Sequence, residues 1–269
     1  MALKDVTLGQ YFPGNSLVHR LDPRTKILAT VLYIVALFLA KGFVSYGFLF
    51  AVLATLVHIS KVPVKSIVRG LKPVVFILVF TAVLNLFYTP GEHVLFKVWV
   101  LTVTLEGVRA AFFMVVRIMM LITGTFLLTY TTSPILLTDG IESLLSPLKK
   151  LRVPVHELAM MMSIALRFIP TLIEETDKIM SAQRARGANF ETGNLIQRAK
   201  ALIPLLVPLF ISAFRRADEL AVAMECRCYH GGEGRTRLRQ LKYHKLDWLT
   251  LTLALAMCVI ILVLGKFGL

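Results

Sequence analysis

The run LDWLTLTLALAMCVIILVL at residues 246–264 holds 19 residues and a single charge. A helix needs about 20 mostly apolar residues to cross the hydrocarbon core of a bilayer, and only helices and closed barrels satisfy their own backbone there. Four more runs have the same character: residues 27–40, 42–58, 74–88 and 107–130. The first is short and has to extend a few residues at one end. Composition agrees. The chain is 57% hydrophobic with a mean hydropathy of +0.73, whereas soluble domains hold about 45–50% apolar residues. A soluble chain this apolar could not cover itself with polar surface. The expected fold class is therefore an all-α integral membrane protein with about five transmembrane helices.

The segments between these runs are less regular. Lys41-Gly42 reads as a tight turn between the first two spans. TPGEHVLFKVWVLTVTLEG, between the third and fourth, opens on Pro-Gly and alternates in apolar character over residues 94–103. That pattern predicts a hairpin or re-entrant piece, not a span. LIPLLVPLFISAF at residues 202–214 is apolar but short, carries two prolines and runs into Arg215-Arg216, so it is not counted as a sixth span. The first 26 residues have no short apolar core or cleavage site, and no signal peptide is expected. Three cysteines make no secreted disulfide framework.

Basic residues set the orientation, because cytoplasmic loops are enriched in Lys and Arg. Four precede the first span (Lys4, Arg20, Arg24, Lys26), one follows it (Lys41), and four follow the second (Lys61, Lys65, Arg69, Lys72). Lys97 and the boundary Arg109 lie between the third and fourth. Residues 131–245 hold 17, and Lys266 alone follows the last span. The alternation puts the N-terminus and residues 131–245 in the cytoplasm and the C-terminus outside. The expected division is a membrane region at 1–130 with four spans, a cytoplasmic region at 131–245, and a last transmembrane helix at 246–269.

The cytoplasmic region reads as two long helices, VHELAMMMSIALRFIPTLIEETDKIMSAQRARG and LIQRAKALIPLLVPLFISAFRRADELAVAMECRC, joined by the loop-like ANFETGN. Prolines early in each predict a kink or a joint. In the first helix Leu172, Ile179 and Arg186 are seven apart and share a face; in the second Ala213, Leu220 and Arg227 do the same. The acidic residues Glu174, Glu175, Asp177, Asp218 and Glu219 fall off those stripes. Each helix thus ends an apolar stripe on an arginine held between small residues: Ala182, Ala185, Arg186 and Gly187, then Ala223, Cys226, Arg227 and Cys228. A cation at a helix C-terminus is favoured by the macrodipole alone. An arginine on the apolar stripe is not expected from that effect, and the small neighbours leave room for a partner to approach the backbone. The planar guanidinium fork suits a carboxylate pocket on another protein. Two copies on two helices point to two equivalent pockets on a paired partner.

At this point the chain resembles a known family. GQYFPGNSLVHRLDPRTKIL, LRFIP, AQRARG and AMECRCY, in that order, are similar to the transmembrane T component of energy-coupling factor transporters, over essentially the full length. The resemblance implies that Ala185-Arg186-Gly187 and Cys226-Arg227-Cys228 end two cytoplasmic coupling helices and dock on two ATP-binding-cassette ATPases. It also implies a separate membrane-embedded substrate-binding subunit and uptake of vitamins or other micronutrients. The second motif departs from the commoner Ala-Arg-Gly form, yet keeps the arginine between small residues. Met160, Met161 and Met162, near the start of the first coupling helix, are flexible enough to pack against partners of varied shape, and are the candidate contact for the substrate subunit.

Other function classes find little in the sequence. The net charge of +14 does not read as nucleic-acid binding, because apolar segments flank the basic clusters. GQYFPGNS has the glycines of a P-loop at Gly9 and Gly14 but Asn15 where lysine is required, and no strand precedes it. HGGEGRT at 230–236 reads as a tether. Cys226, Cys228 and His230 are too few for zinc, with no second cluster to complete four ligands. No carboxylate pair or Ser-His arrangement suggests an enzyme, and no cofactor is expected. A self-sufficient secondary transporter is the rival reading, against which stand the scarcity of acidic residues in the spans and the lack of two similar halves. Arg117, midway along the fourth span, is costly against lipid and has to face protein, water or a carbonyl. Arg167 is expected against the membrane face or an acidic partner.

The orientation has a direct check. In a cysteine-free background with single cysteines at Asn194 or Gly268, an impermeant thiol reagent on intact cells should label position 268 and spare position 194. The reverse pattern would overturn the orientation.

Overall fold

The computed structural model describes residues 11–88, 93–98, 101–188, 190, 194–231 and 240–266. Ten α-helices and one β-hairpin occur among them. A short helix α1 (Leu17–Arg20) is followed by α2 (Pro23–Leu39), α3 (Phe43–Ser60), α4 (Val64–Leu71) and α5 (Val75–Tyr88). Strands β1 (Val94–Val98) and β2 (Leu101–Thr104) pair antiparallel. Then come α6 (Leu105–Thr131), α7 (Pro134–Leu145), α8 (Val155–Ala185), α9 (Leu195–Cys226) and α10 (Lys245–Lys266). The fold class is as expected, with the alternating segment after the third span forming the hairpin.

Local chemistry explains the boundaries. Asp22 caps α2 by accepting from the Arg24 N–H at 2.9 Å, and Pro23 takes the first helical position, where a missing N–H costs nothing. This is why α2 starts before the apolar run at 27–40. Helix α3 restarts at Phe43 after the Lys41-Gly42 turn and ends where Lys61 adopts a left-handed backbone with φ of 56°. Thr104 caps α6 through the Gly107 N–H at 3.0 Å, with Glu106 in the first turn complementing the helix dipole. The prolines of the long helices produce no joint: α8 is helical through Pro170, and α9 through Pro204 and Pro208. Helix α7 carries no strong sequence signal and is an addition to the expected elements.

Five helical stretches are long and apolar enough to cross a membrane: Phe43–Ser60, Val64–Phe87, Leu105–Thr131, Val155–Ala185 and Lys245–Lys266. The number agrees with expectation and the set differs in one place. Helix α2, at 17 residues, falls just below an 18-residue length, whereas α8 exceeds it. The apolar character of α8 lies in its first half; Glu174, Glu175, Asp177 and Lys178 follow in its second.

Residues 9–140 and 241–269 form one compact unit, and residues 141–240 belong to a second. In the first unit α2, α3, α6 and α10 share a core of Tyr33, Ala36, Leu37, Tyr46, Leu49, Leu53, Met120, Met257, Cys258 and Ile261. A Cβ at Gly124 would lie 2.7 Å from the Tyr33 ring, so α6 approaches α2 at a glycine. Three charged side chains inside this unit find partners in the protein. Arg117 donates to the Tyr46 hydroxyl at 2.7 Å and the Ala40 carbonyl at 3.4 Å. Lys26 donates to the Thr131 carbonyl at 2.9 Å, the Thr132 hydroxyl at 3.2 Å and the His19 carbonyl at 3.3 Å. Asp247, 1% exposed, accepts from the backbone N–H of Asp22 and of His244, each at 2.8 Å. One carboxylate therefore holds the starts of α2 and α10, which pack against each other.

In the second unit α8 and α9 pack in an antiparallel sense. Gln183 donates to the Pro204 carbonyl at 3.4 Å, and Arg216 pairs with Glu175 at 3.0 Å. Glu175 thus points to the partner helix, which corrects its expected place off the packed face. His156 near the start of α8 is 3.0 Å from Glu142 at the end of α7.

Asp247 gives the fold a measurable dependence. Hydrogen bonds to a charged group are worth about 1.5–3 kcal/mol each, so Asp247→Ala should cost roughly 3 kcal/mol or more in thermal unfolding in detergent. Asp247→Asn, which keeps one oxygen acceptor, should cost less. An Ala variant as stable as the parent would show that the shared cap carries no weight.

Candidate functional site

The two arginine motifs close their helices in the same way. In the first, the Gly187 N–H donates to the Arg184 carbonyl at 3.0 Å and the Ala188 N–H to the Gln183 carbonyl at 3.0 Å. In the second, the Cys228 N–H donates to the Glu225 carbonyl at 2.8 Å and the Tyr229 N–H to the Met224 carbonyl at 3.1 Å. Both are Schellman caps, in which the residue after the cap takes a left-handed backbone. Gly187 has φ of +87° and Cys228 φ of +54°. The cap residues themselves match: Arg186 at φ −87°, ψ 8° and Arg227 at φ −92°, ψ 11°. The repeat seen in the sequence is a repeat of backbone geometry.

This changes the reading of the small residues. Gly187 was expected to be small for clearance; it is glycine because of its φ, since a Cβ there would meet nothing within 4 Å. Cys228 holds the same conformation with a side chain, which costs an L-residue about 1–2 kcal/mol. Ala182, Ala185, Ala223 and Cys226 are exposed and leave a low helix surface beside each arginine. The signal for the cap was present in the glycine after a basic final turn, but cysteine at the second site concealed the equivalence.

Arg186 and Arg227 are both exposed, and neither guanidinium is hydrogen-bonded or ion-paired among the described residues. The stripes behind them are half-buried: Leu172 and Ile179 on α8, Ala213 and Leu220 on α9. Because α8 and α9 run antiparallel, the two arginines point opposite ways along the pair. At 1.5 Å of rise per residue from the crossing, they can lie up to about 35 Å apart. The structure does not bring them into one site; it makes two separate, like-shaped ends. Cys226, Cys228 and His230 stay near the second end, where His230 Nδ1 is 2.7 Å from the Cys228 carbonyl.

The methionines lie at the opposite end of α8. Met161 and Met162 are 54% and 47% exposed and adjoin the exposed Leu158, while Met160 is half-buried. Arg167 is exposed as well. Within the first unit, Phe12 donates its N–H to the Tyr130 carbonyl at 2.9 Å and its ring meets Tyr130 edge-on. The GNS segment that follows supplies Ser16 to cap α1, accepting from the His19 N–H at 3.3 Å.

A helical protein with five helices long and apolar enough to cross a membrane is a polytopic membrane protein. A family model described as cobalt transport protein matches residues 14–238. The chain is 58% identical over 245 residues to the energy-coupling factor transporter transmembrane protein EcfT of Thermosediminibacter oceani, covering 91% of this chain and 92% of that one. It is 58% identical over 264 residues to EcfT of Clostridium kluyveri, covering 97% of each. Its identity to EcfT of Bacillus subtilis is 51% over 246 residues, 91% of each chain. The chain belongs to this family of transmembrane proteins of energy-coupling factor transporters.

The caps predict opposite responses to substitution. Cys228→Gly should relieve about 1 kcal/mol of backbone strain and slow amide hydrogen exchange across residues 224–229. Gly187→Val, β-branched at positive φ, should speed exchange across residues 183–188. Unchanged exchange in the valine variant would contradict the cap at that end.

Proposed function

We infer that this chain is the coupling subunit of an energy-coupling factor transporter, carrying motion between two ABC-type ATPases and a membrane-embedded substrate-binding subunit. The observation that carries the reading is the pair of matched caps, each presenting one exposed, unpaired arginine among the described residues. Ala185-Arg186-Gly187 docks on one ATPase and Cys226-Arg227-Cys228 on the other. A groove with a carboxylate at its base receives the guanidinium fork, and the low surface of small residues lets the groove wall close on the helix. Matched backbone geometry is what two like ATPase subunits require. The antiparallel α8–α9 pair spaces the two plugs, so that a change in separation of the ATPases acts as a force couple on the pair.

The chain itself hydrolyses nothing in this reading; ATP chemistry belongs to the ATPases. Residues 131–245 face the cytoplasm as the coupling region, with α8 a coupling helix despite its spanning length, between the region at 1–130, in which α2 completes the four spans, and the last span at 246–269. The exposed Met161 and Met162, with Met160, give a flexible apolar surface to the substrate subunit. A vitamin or other micronutrient is bound on that subunit and not on this chain.

Arg186→Ala and Arg227→Ala should each weaken recovery of the ATPases on a tagged chain, or uncouple ATP hydrolysis from uptake. Removing one partner of a desolvated ion pair costs about 3–5 kcal/mol. Lysine at either position should rescue poorly, because it lacks the planar fork. Pull-downs of the whole transporter through a tagged ATPase read both contacts at once: Met161→Gln should lose the substrate subunit first and keep the ATPases. If both alanine variants assemble and transport like the parent, the docking reading is wrong.

A further inference from the structure

We propose that the open pocket at the C-terminal end of α3, lined by Arg20, His58 and Lys61, binds the headgroup of an anionic phospholipid. The pocket has a volume of about 420 Å³. It brings together the last residue of α1, the last turn of α3 and the turn that follows. Asn15 adds an exposed amide to the same wall, and Leu17 and Ile59 complete it with apolar side chains that are 56% and 37% exposed. No carboxylate lines it. Between residues 11 and 72 the only acidic residue is Asp22, whose carboxylate is buried against Arg24. Arg20, His58 and Lys61 are exposed and form no ion pair among the described residues. Lys65 and Arg69 on α4 are exposed too and add to the positive field nearby.

Position supplies the argument for a lipid. Helix α3 is long and apolar enough to cross a membrane, and at its end the chain changes from an apolar run to Lys61, Lys65 and Arg69, as expected where hydrocarbon gives way to headgroups. Cations and exposed aliphatic side chains in one wall match a molecule that carries a phosphate and a chain together. The backbone that carries Lys61 is held in place before any ligand arrives. Lys61 has the left-handed backbone that ends α3, and its neighbours Ser60 and Val62 are 1% and 5% exposed. The Ser60 hydroxyl donates to the Val57 carbonyl at 2.7 Å and accepts from the Val62 N–H at 3.3 Å. Both sides of Lys61 are therefore fixed, and its side chain is left on the open side. The assignment rests on the first unit alone and is independent of how the arginine caps are used.

Native mass spectrometry of the full chain, released from detergent in an equimolar mixture of phosphatidylglycerol and phosphatidylcholine, tests it. A surface cation is worth about fivefold in anionic-lipid binding, so the first retained lipid should be phosphatidylglycerol. Arg20→Gln with Lys61→Gln should reduce that preference roughly twenty-five-fold. Lys41→Gln, at the other end of α3, should leave it unchanged. Raising salt on the unsubstituted chain should abolish the preference, a reading that needs no variant to fold. Equal retention of the two lipids overturns the proposal, as does a double variant that keeps the preference. Displacement of phosphatidylglycerol by millimolar inorganic phosphate overturns it as well, because a soluble phosphate would then be the ligand.

Discussion

A single buried carboxylate sets the plan of the membrane unit. Asp247 accepts from the backbone at the start of its own helix and from the backbone at the start of α2, 225 residues away in sequence. Two helix starts carry partial positive charge and unsatisfied N–H groups, and one anion answers both. Arg24 and Lys26 keep the surroundings cationic, the first paired with Asp22 and stacked on Tyr243, the second donating to three oxygens. Helices α2 and α10 are thereby fastened together. Residues 141–240 belong to the second unit, and the chain rejoins the first at residue 241.

The membrane face of the protein was legible because the bilayer imposes a length and a polarity on anything that crosses it. The apolar runs at 42–58, 74–88, 107–130 and 246–264 became helices with ends shifted by a few residues, and period-two alternation at 94–103 became a hairpin. Two differences have physical causes. Helix α2 begins early because Asp22 and Pro23 make a strong start signal ahead of the apolar run. Helix α8 reaches spanning length because its helical register continues through Pro170, where a joint was expected. What sequence reasoning could not reach was long-range: nothing in the pattern around Asp247 says that its second bond goes to Asp22.

The arginine ends were legible as a repeat but not as a conformation. Seven-residue spacing placed Arg186 and Arg227 on the packed stripes, and the half-buried Leu172, Ile179, Ala213 and Leu220 agree. Spacing does not report φ, so the left-handed residue after each arginine went unread. Arg117 is the opposite case. A charge in mid-span had to find protein, and the Tyr46 hydroxyl and Ala40 carbonyl were the kind of partner that burial demands, though their identity came only from the fold.

The two caps are alike in their hydrogen bonds and unlike in their strain. Gly187 rests in the left-handed region at no cost, whereas Cys228 is forced into it. The first helix end is consequently a stiff handle and the second a yielding one. Unwinding the final turn at Cys226 releases backbone strain, and unwinding the one at Ala185 releases none. The two ends are therefore alike in shape and unequal in backbone strain, and the direction of that asymmetry is written in one residue.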